Sequence, residues 1–262
     1  PTSGYTRAVL NAGKVQNQGL EVLLSGSPVK NEKFSWTSTL TWSTNRNKVL
    51  ELADGIEGKQ DIGYGGNATI QARVGGSTGD IYGFGFLRNP EGHIIYTAAG
   101  LPARPAEIQY IGRAFADWKG GLHNEFSYKN LRLSVLVDGQ YGGIVYSQSH
   151  HKMMEQGKLK ATLPGRAEGF IIGDGVVQNL DGSYSPNAKK VAPATYYGDY
   201  YRRANVESNS FDASYLKLRE VRFEYNFSKR ITQKLGINHL SLAVYGRDLA
   251  MISNFPLFDP ET

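Results

Sequence analysis

The stretch "FSWTSTLTWS", residues 34–43, alternates almost without error. Phe34, Trp36, Ser38, Leu40 and Trp42 fall on one face, and Ser35, Thr37, Thr39, Thr41 and Ser43 on the other, because a strand sends successive side chains to opposite sides. One face is apolar with aromatics at both ends; the other carries only hydroxyls. Two architectures need such a strand. A soluble β-protein buries the apolar face in its core, and a membrane β-barrel turns it to lipid with water inside.

The same period recurs along the chain and predicts six long strands in three hairpins. Residues 17–26 set Leu20, Val22 and Leu24 against Glu21 and Ser25, with Leu23 out of pattern. The turn at 27–33 holds Pro28 and Asn31, both turn formers. In 117–128, Trp118, Leu122, Phe126 and Tyr128 oppose Lys119, His123, Glu125 and Ser127. After a tight turn at "YKNL", Leu131, Leu133, Val135, Val137 and Tyr141 oppose Arg132, Ser134, Asp138 and Gln140, with Leu136 the apolar intruder. Residues 214–227 and 240–249 form the third pair. There Val221, Phe223, Tyr225 and Phe227 alternate with Arg222, Glu224 and Asn226, while Leu216 and Leu218 are in the opposite phase. A bulge near Arg219–Glu220 reconciles the two phases. On the return strand Leu240, Leu242 and Val244 oppose Ser241, Tyr245 and Arg247.

The connections differ sharply. Those at 27–33, 129–130 and 228–238 are short; those at about 44–116 and 142–213 are long. Loops of that size are unusual inside a compact soluble domain, whereas short turns at one end and long loops at the other are the rule in outer-membrane barrels. A smaller hairpin, 80–97, with its turn at "RNPEGH", reads as loop structure within the first long connection rather than as two more wall strands. Periodicity alone fits both architectures. The loop asymmetry and the aromatics near strand ends, Trp36, Trp42, Trp118, Tyr128, Tyr141 and Phe227, favour the barrel.

Composition closes other routes. At 40% apolar, the chain has no run near the roughly 18 residues of a spanning helix. With 31 glycines and 16 tyrosines it favours strands and turns. Without cysteine it forms no disulfide or thiolate site. The net charge of +5 is scattered rather than gathered in a basic run, so nucleic acid is not the expected partner. The opening "PTSGYT" has no Met and reads as a mature or trimmed start. Six strands cannot close a membrane barrel, which takes at least about eight, so a barrel reading makes residues 1–262 part of one.

Three stretches carry a resemblance. "NAGKVQNQGLEVLLSGSPVKNEKFSWTSTLTWSTNRNKVLEL" has an Asn-x-Gly-apolar-Glu strand, an aromatic-Trp strand and an "NRNKVLEL" exit. "DWKGGLHNEFSYKNLRLSVLVDGQYGG" supplies Asp-Trp-x-Gly-Gly, Phe-x-Tyr-Lys-Asn and Asp-x-Gln-x-Gly-Gly. "FDASYLKLREVRFEYNFSKRI", followed by "LSLAVYGRDLAMISNFPLFDPE", supplies Lys-Leu-Arg-Glu, Gly-Arg-Asp-Leu and Asp-Pro-Glu. In this order they resemble the SusC/RagA-type TonB-dependent outer-membrane transporters over nearly the whole chain. The resemblance implies an all-β fold, an antiparallel transmembrane segment of a 22-stranded barrel with long extracellular loops. Against that pattern the chain looks like strands 16 to 21, towards the C-terminal part of the barrel, without the plug, the TonB box or the last strand. It implies an active importer of oligosaccharides or peptides in the outer membrane of a Bacteroidetes-type Gram-negative bacterium. A SusD-like surface lipoprotein would be its partner, and the TonB complex would act through the N-terminal region. No cofactor and no enzymatic step are expected. Two other readings stay open at this stage: a soluble secreted or periplasmic glycan-binding module, and a passive porin-like channel.

On the barrel reading, Glu21, Thr39, His123, Glu125, Asp138, Arg222, Glu224 and Arg247 face the lumen. Trp36, Trp42, Trp118, Leu133, Val135, Phe223 and Tyr225 face lipid or its interfacial girdle. The acidic and imidazole groups match no hydrolase spacing and read as cross-strand hydrogen bonds or ion pairs. "ATYYGDYYRRAN" gathers Tyr196, Tyr197, Tyr200, Tyr201, Arg202 and Arg203. Tyrosine joins a flat apolar face to a hydroxyl at low entropy cost. The segment suits three jobs: packing the loop on itself, meeting a partner, or touching substrate. "HHKMME", from His150 to Glu155, lacks the converging ligands and second shell of a metal site and predicts a one-turn helix with Met153 and Met154 inward. "GGSTGD", 75–80, lacks the lysine and following helix of a phosphate loop, and "NAT" at Asn67 matches a glycosylation acceptor only in a eukaryotic secretory setting.

Overall fold

The structure is a computed structural model that describes residues 13–53 and 55–261; the opening "PTSGYT" lies outside the described residues. It is mostly antiparallel β-sheet with a few short helices. No described helix is long and apolar enough to cross a membrane, which says nothing about crossing by strands. The chain divides into two compact units, one of Asn17–Arg46, Phe115–Gly143 and Asp212–Thr262, the other mainly of Asn47–Ala114 and Ile144–Phe211.

The first unit is built on a six-stranded meander. Its strands are β1 (Lys14–Lys30), β2 (Phe34–Glu51), β3 (Trp118–Tyr128), β4 (Leu131–Tyr141), β5 (Tyr215–Asn226) and β6 (Ser241–Ser253), each lying beside its neighbours in sequence order. The first two are longer than alternation predicts: β2 runs on through "STNRNK", which pairs through its backbone without an apolar face to announce it, and β1 runs on through Ser27–Lys30, so Pro28, expected in the turn, lies in the strand. The first turn accordingly shrinks to 31–33, where the Asn31 side chain accepts hydrogen bonds from the backbone N–H groups of Lys33 and Phe34 at 3.0 and 2.9 Å. Lys129 adopts φ 51° in the two-residue turn between β3 and β4. The connection 228–238 carries a short helix, Lys229–Lys234.

Register puts like with like. Trp36, Phe126, Leu133, Phe223 and Val244 lie across five strands in one row. On the other face Thr37, Glu125, Ser134, Arg222 and Tyr245 make the corresponding row. The bulge expected near Arg219–Glu220 is present, with both ladders shifting register between Leu218 and Glu220. Across that interval β4 advances one residue (136 to 137), β5 two (218 to 220) and β6 three (247 to 250). Asp248 sits in this fan with φ 49°, a left-handed conformation uncommon for a residue with a Cβ.

The second unit is a folded body rather than open loop. Gln60–Gly65, Ala68–Ala72, Asp80–Gly83 and Gln109–Arg113 form a four-stranded sheet. One apolar cluster gathers Ala68, Ile81 and Val206; a larger one gathers Tyr96, Met154, Val191, Tyr196 and Tyr197. The hairpin expected over 80–97 is corrected. Asp80–Gly83 pairs with Ala68–Ala72 and Gln109–Arg113 instead, and Ile95–Tyr96 pairs in parallel with Val176–Gln178. Only the tip returns on itself, where Asn89 Oδ1 accepts the His93 N–H at 2.8 Å. Every residue of Asp80–Gly83 is buried, so its pattern held no information about which strand it would meet.

Two helices complete this unit. Helix α1 (Gln148–Glu155) is two turns long, capped by Ser147, whose hydroxyl accepts the His150 N–H at 3.1 Å. Met154 points inward and is wholly buried, but so is His151, with His150 nearly so, while Met153 is only half-buried. The one-turn expectation with both methionines inward is therefore corrected: the helix's buried stripe is His150, His151 and Met154. Helix α2 (Pro193–Tyr200) opens with proline at its first position, where the missing N–H costs nothing.

Candidate functional site

The polar face of the meander brings together every residue assigned to it from sequence. Thr39 is level with His123, and Thr37 with Glu125. Ser25 and Thr39 hydroxyls meet at 2.9 Å and Ser27 and Thr37 at 3.0 Å, so Glu21, in phase with Ser25, shares this face. His123 Nε2 and the Ser134 hydroxyl are 2.7 Å apart. Arg132 reaches Glu125 at 3.6 Å, Arg222 donates to Glu224 at 2.6 Å, and Arg247 donates to Glu220 at 2.9 Å. Among the described residues no carboxylate is bonded to His123, the part that would orient a nucleophilic triad. Nor does any described group of three or more His, Asp or Glu converge as metal ligands would. This is a wettable, internally paired surface.

Its densest part lies at the bulge. Arg219 binds both oxygens of Asp138, with its closest approach 2.7 Å, and reaches Asp248 at 3.2 Å and Glu261 at 2.8 Å. The Lys217 ammonium, 2% exposed, donates to Asp259 at 2.5 Å and to Glu261. The Tyr215 hydroxyl donates to Glu261 as well. Burial pushes the Glu261 carboxyl up, but hydrogen bonds from Lys217, Tyr215 and Arg219 outweigh it and hold the group down at about 2. Asp138 alone of these was assigned from alternation. The others were missed, although the phase break at 218–220 and the "DPE" at 259–261 were their signal.

The opposite face is apolar and open. Leu133, Phe223, Leu242, Val244, Leu216 and Ile252 are all exposed, the last at 74%. Trp36, Trp42, Trp118, Leu133, Val135, Phe223 and Tyr225 all belong to this face by register. Trp36 stacks on Phe126 at 5.8 Å, and Trp118 on Tyr141 at 6.0 Å.

In the other unit, the tyrosine segment is mostly interior. Tyr196 and Tyr197, on α2, belong to the large cluster, and Tyr200 and Tyr201 pack against it. The Tyr96 and Tyr196 hydroxyls meet at 3.1 Å. Burial pushes the hydroxyls of Tyr196 and Tyr200 well above the usual tyrosine range, so both stay neutral. Arg202 is 3.8 Å from Asp199, and Arg104 reaches the same carboxylate at 2.7 Å. As surface platforms for a ligand, Tyr196 and Tyr197 are unavailable, because α2 turns them into the cluster.

No family model matches the chain. Sequence comparison finds relatives along its whole course. It is 25% identical to TonB-dependent receptor P39 of Formosa agariphila over 99% of this chain and 28% of that protein. It is 26% identical to TonB-dependent receptor P26 of the same bacterium, again over 99% of this chain and 27% of that protein. The chain is a homologue of the TonB-dependent receptors. The homology covers both units and spans little more than a quarter of those receptors' length. TonB-dependent receptor SusC of Bacteroides thetaiotaomicron is 24% identical over 52% of this chain and 15% of its own. The fold agrees. The solved structure of the RagAB peptide transporter superposes with a TM-score of 0.62 at 16% identity, covering 100% of this chain and 28% of that one. A RagAB peptide importer in its 'closed-closed' state gives 0.66 at 16% identity, with the same coverage. The relatives are named as receptors, and none as an enzyme.

Proposed function

We propose that these residues are wall and outer loops of a TonB-dependent importer in the outer membrane of a Gram-negative bacterium, towards the C-terminal part of its barrel. The observation that carries this reading is the uncovered apolar face of the meander. A soluble sandwich would lay a second sheet over Leu133, Phe223, Val244 and Ile252; here they stand exposed. Lipid is the environment in which such a face is stable. The opposite face, with its paired charges, would line a water-filled interior. Solute would be an oligosaccharide or peptide too large for passive pores. The unit formed by the long connections would meet a SusD-like surface lipoprotein, and energy would arrive from TonB through residues that precede this stretch.

The test is made on the full-length protein in its native cell. It should fractionate with the outer membrane, migrate faster on gels unboiled than boiled, and co-purify with a surface lipoprotein. Uptake of one oligosaccharide or peptide class should stop when TonB is removed. A full-length protein recovered from the soluble fraction would end this reading, and uptake that persists without TonB would leave a passive channel.

A further inference from the structure

Residues 254–261 leave β6 and return across the polar face of the meander. Their side chains differ in kind from a surface turn. Phe255 is 6% exposed and meets Phe258 edge-on at 5.2 Å. Asp259 accepts the Glu261 N–H at 2.9 Å, which sets the two carboxylates side by side. Both then close on Lys217. An ammonium at 2% exposure is costly to bury unless its donors are satisfied by charge. Here every carboxylate bonded to it comes from this one segment. Arg219, displaced onto this side by the bulge, adds a second tie to Glu261 while holding Asp138 on β4 and Asp248 on β6.

We propose that residues 254–261 are an ion-locked strap, fastened over the polar face by Lys217 and Arg219, which masks the Lys217 ammonium from anything passing along the face. The strap stands apart from the importer reading; passage of solute along the face rests on it. The lock is charge-dependent but not a physiological pH switch. Tyr215, Lys217, Arg219, Asp138, Asp248 and Asp259 are the charged or titratable groups around Glu261. A carboxyl whose folded value is depressed contributes stability above its unfolded value of about 4.3, and loses it as pH falls towards the folded one. For Glu261, held near 2, the strap therefore stays closed from neutral pH down to about 4 and opens only in strong acid.

The experiment uses the full-length protein in detergent or vesicles, with a nitroxide on a cysteine at Phe258→Cys and a control label on β6 at Leu249→Cys. In the otherwise unaltered protein both labels should give slow, ordered spectra at pH 7. Replacing the cation by Lys217→Met should raise the mobile fraction at 258 about tenfold, the scale of losing a tie worth about 1.4 kcal/mol. The control should not move, and Lys217→Arg should restore order by keeping the charge. An immobile label at 258 when both ties are removed, in a Lys217→Met, Arg219→Met protein, would overturn the proposal, since the segment would then be held by Phe255 packing and not by charge. Equal loosening at 249 would overturn it too, by making Lys217 a support of the sheet rather than of the strap. Neither outcome depends on whether the protein transports solute, so failure of the importer reading is told apart by fractionation and uptake.

Discussion

The two units are held together by different physics. The meander has a ladder of backbone pairs and two faces of opposite character, and hardly any side chain in it is wholly buried. The unit of long connections has short strands but real interior: Met154 and Val206 at 0% exposure, Tyr96 at 2%, and buried amides such as Asn209. The first is specified by a repeating pattern and leaves its apolar face exposed. The second is specified by individual contacts and carries its own cover.

That contrast can be broken most strongly at Met154. Met154→Ala empties the centre of the large cluster and should cost about 2–5 kcal/mol. Proteolysis should then cut within 144–211 while the six strands stay protected; simultaneous loss of both would mean the units are one cooperative body. Next comes Val135→Lys on the apolar face. In a bilayer it should cost about 2–4 kcal/mol at mid-depth, read as a lower urea midpoint for refolding into vesicles, and it should leave the cluster around Met154 intact. A third, smaller effect is expected from Asn209→Ala. Asn209 Oδ1 lies 2.9 Å from His150 Nδ1, and its Nδ2 donates to the Asn205 carbonyl at 2.8 Å. Stranding these partners should cost about 1–3 kcal/mol, visible as faster amide exchange at 147–151. The smallest is a pH effect. Burial holds His150 below its ordinary value of 6.5, with His151 adding to this and the Asn209 bond opposing it. A depressed imidazole contributes stability above pH 6.5 and loses it as pH falls below that. Mild acid, pH 5 against pH 7.5, should therefore loosen the α1 region without loosening the meander.

How far the sequence could be read follows the same line. In the meander, each residue tests the same hypothesis about period two, so Phe34 to Trp42 and Leu131 to Tyr141 declare their faces, and the phase conflict between Leu218 and Val221 marks the bulge. The far end of β2 is hidden because "STNRNK" has no apolar side, and that of β1 because Pro28 reads as a turn former. In the other unit, pairing depends on partners far along the chain. Ile95–Tyr96 meets Val176–Gln178, and nothing local in "HIIYT" encodes that. The tyrosine segment could not be resolved from sequence because a tyrosine that packs and one that binds have the same composition around them; α2 turns Tyr196 and Tyr197 into the large cluster. The strap was illegible for a related reason. Lys217 and Glu261 are 44 positions apart, and each alone looks like an ordinary surface charge.

The one-two-three widening at Leu218–Glu220 has a mechanical meaning. Cloth is shaped by a dart, a wedge that makes one edge longer than the other at a chosen height. By spanning the same interval with successively more residues in β4, β5 and β6, the meander gathers its bending at one level instead of spreading it over whole strands. The wedge also decides where Arg219 stands. Deleting that single residue would put Leu218 and Val221 in one regular phase, so β5 would keep its faces but lose the wedge and the arginine it carries. Curvature and charge placement are thus set by the same stitch.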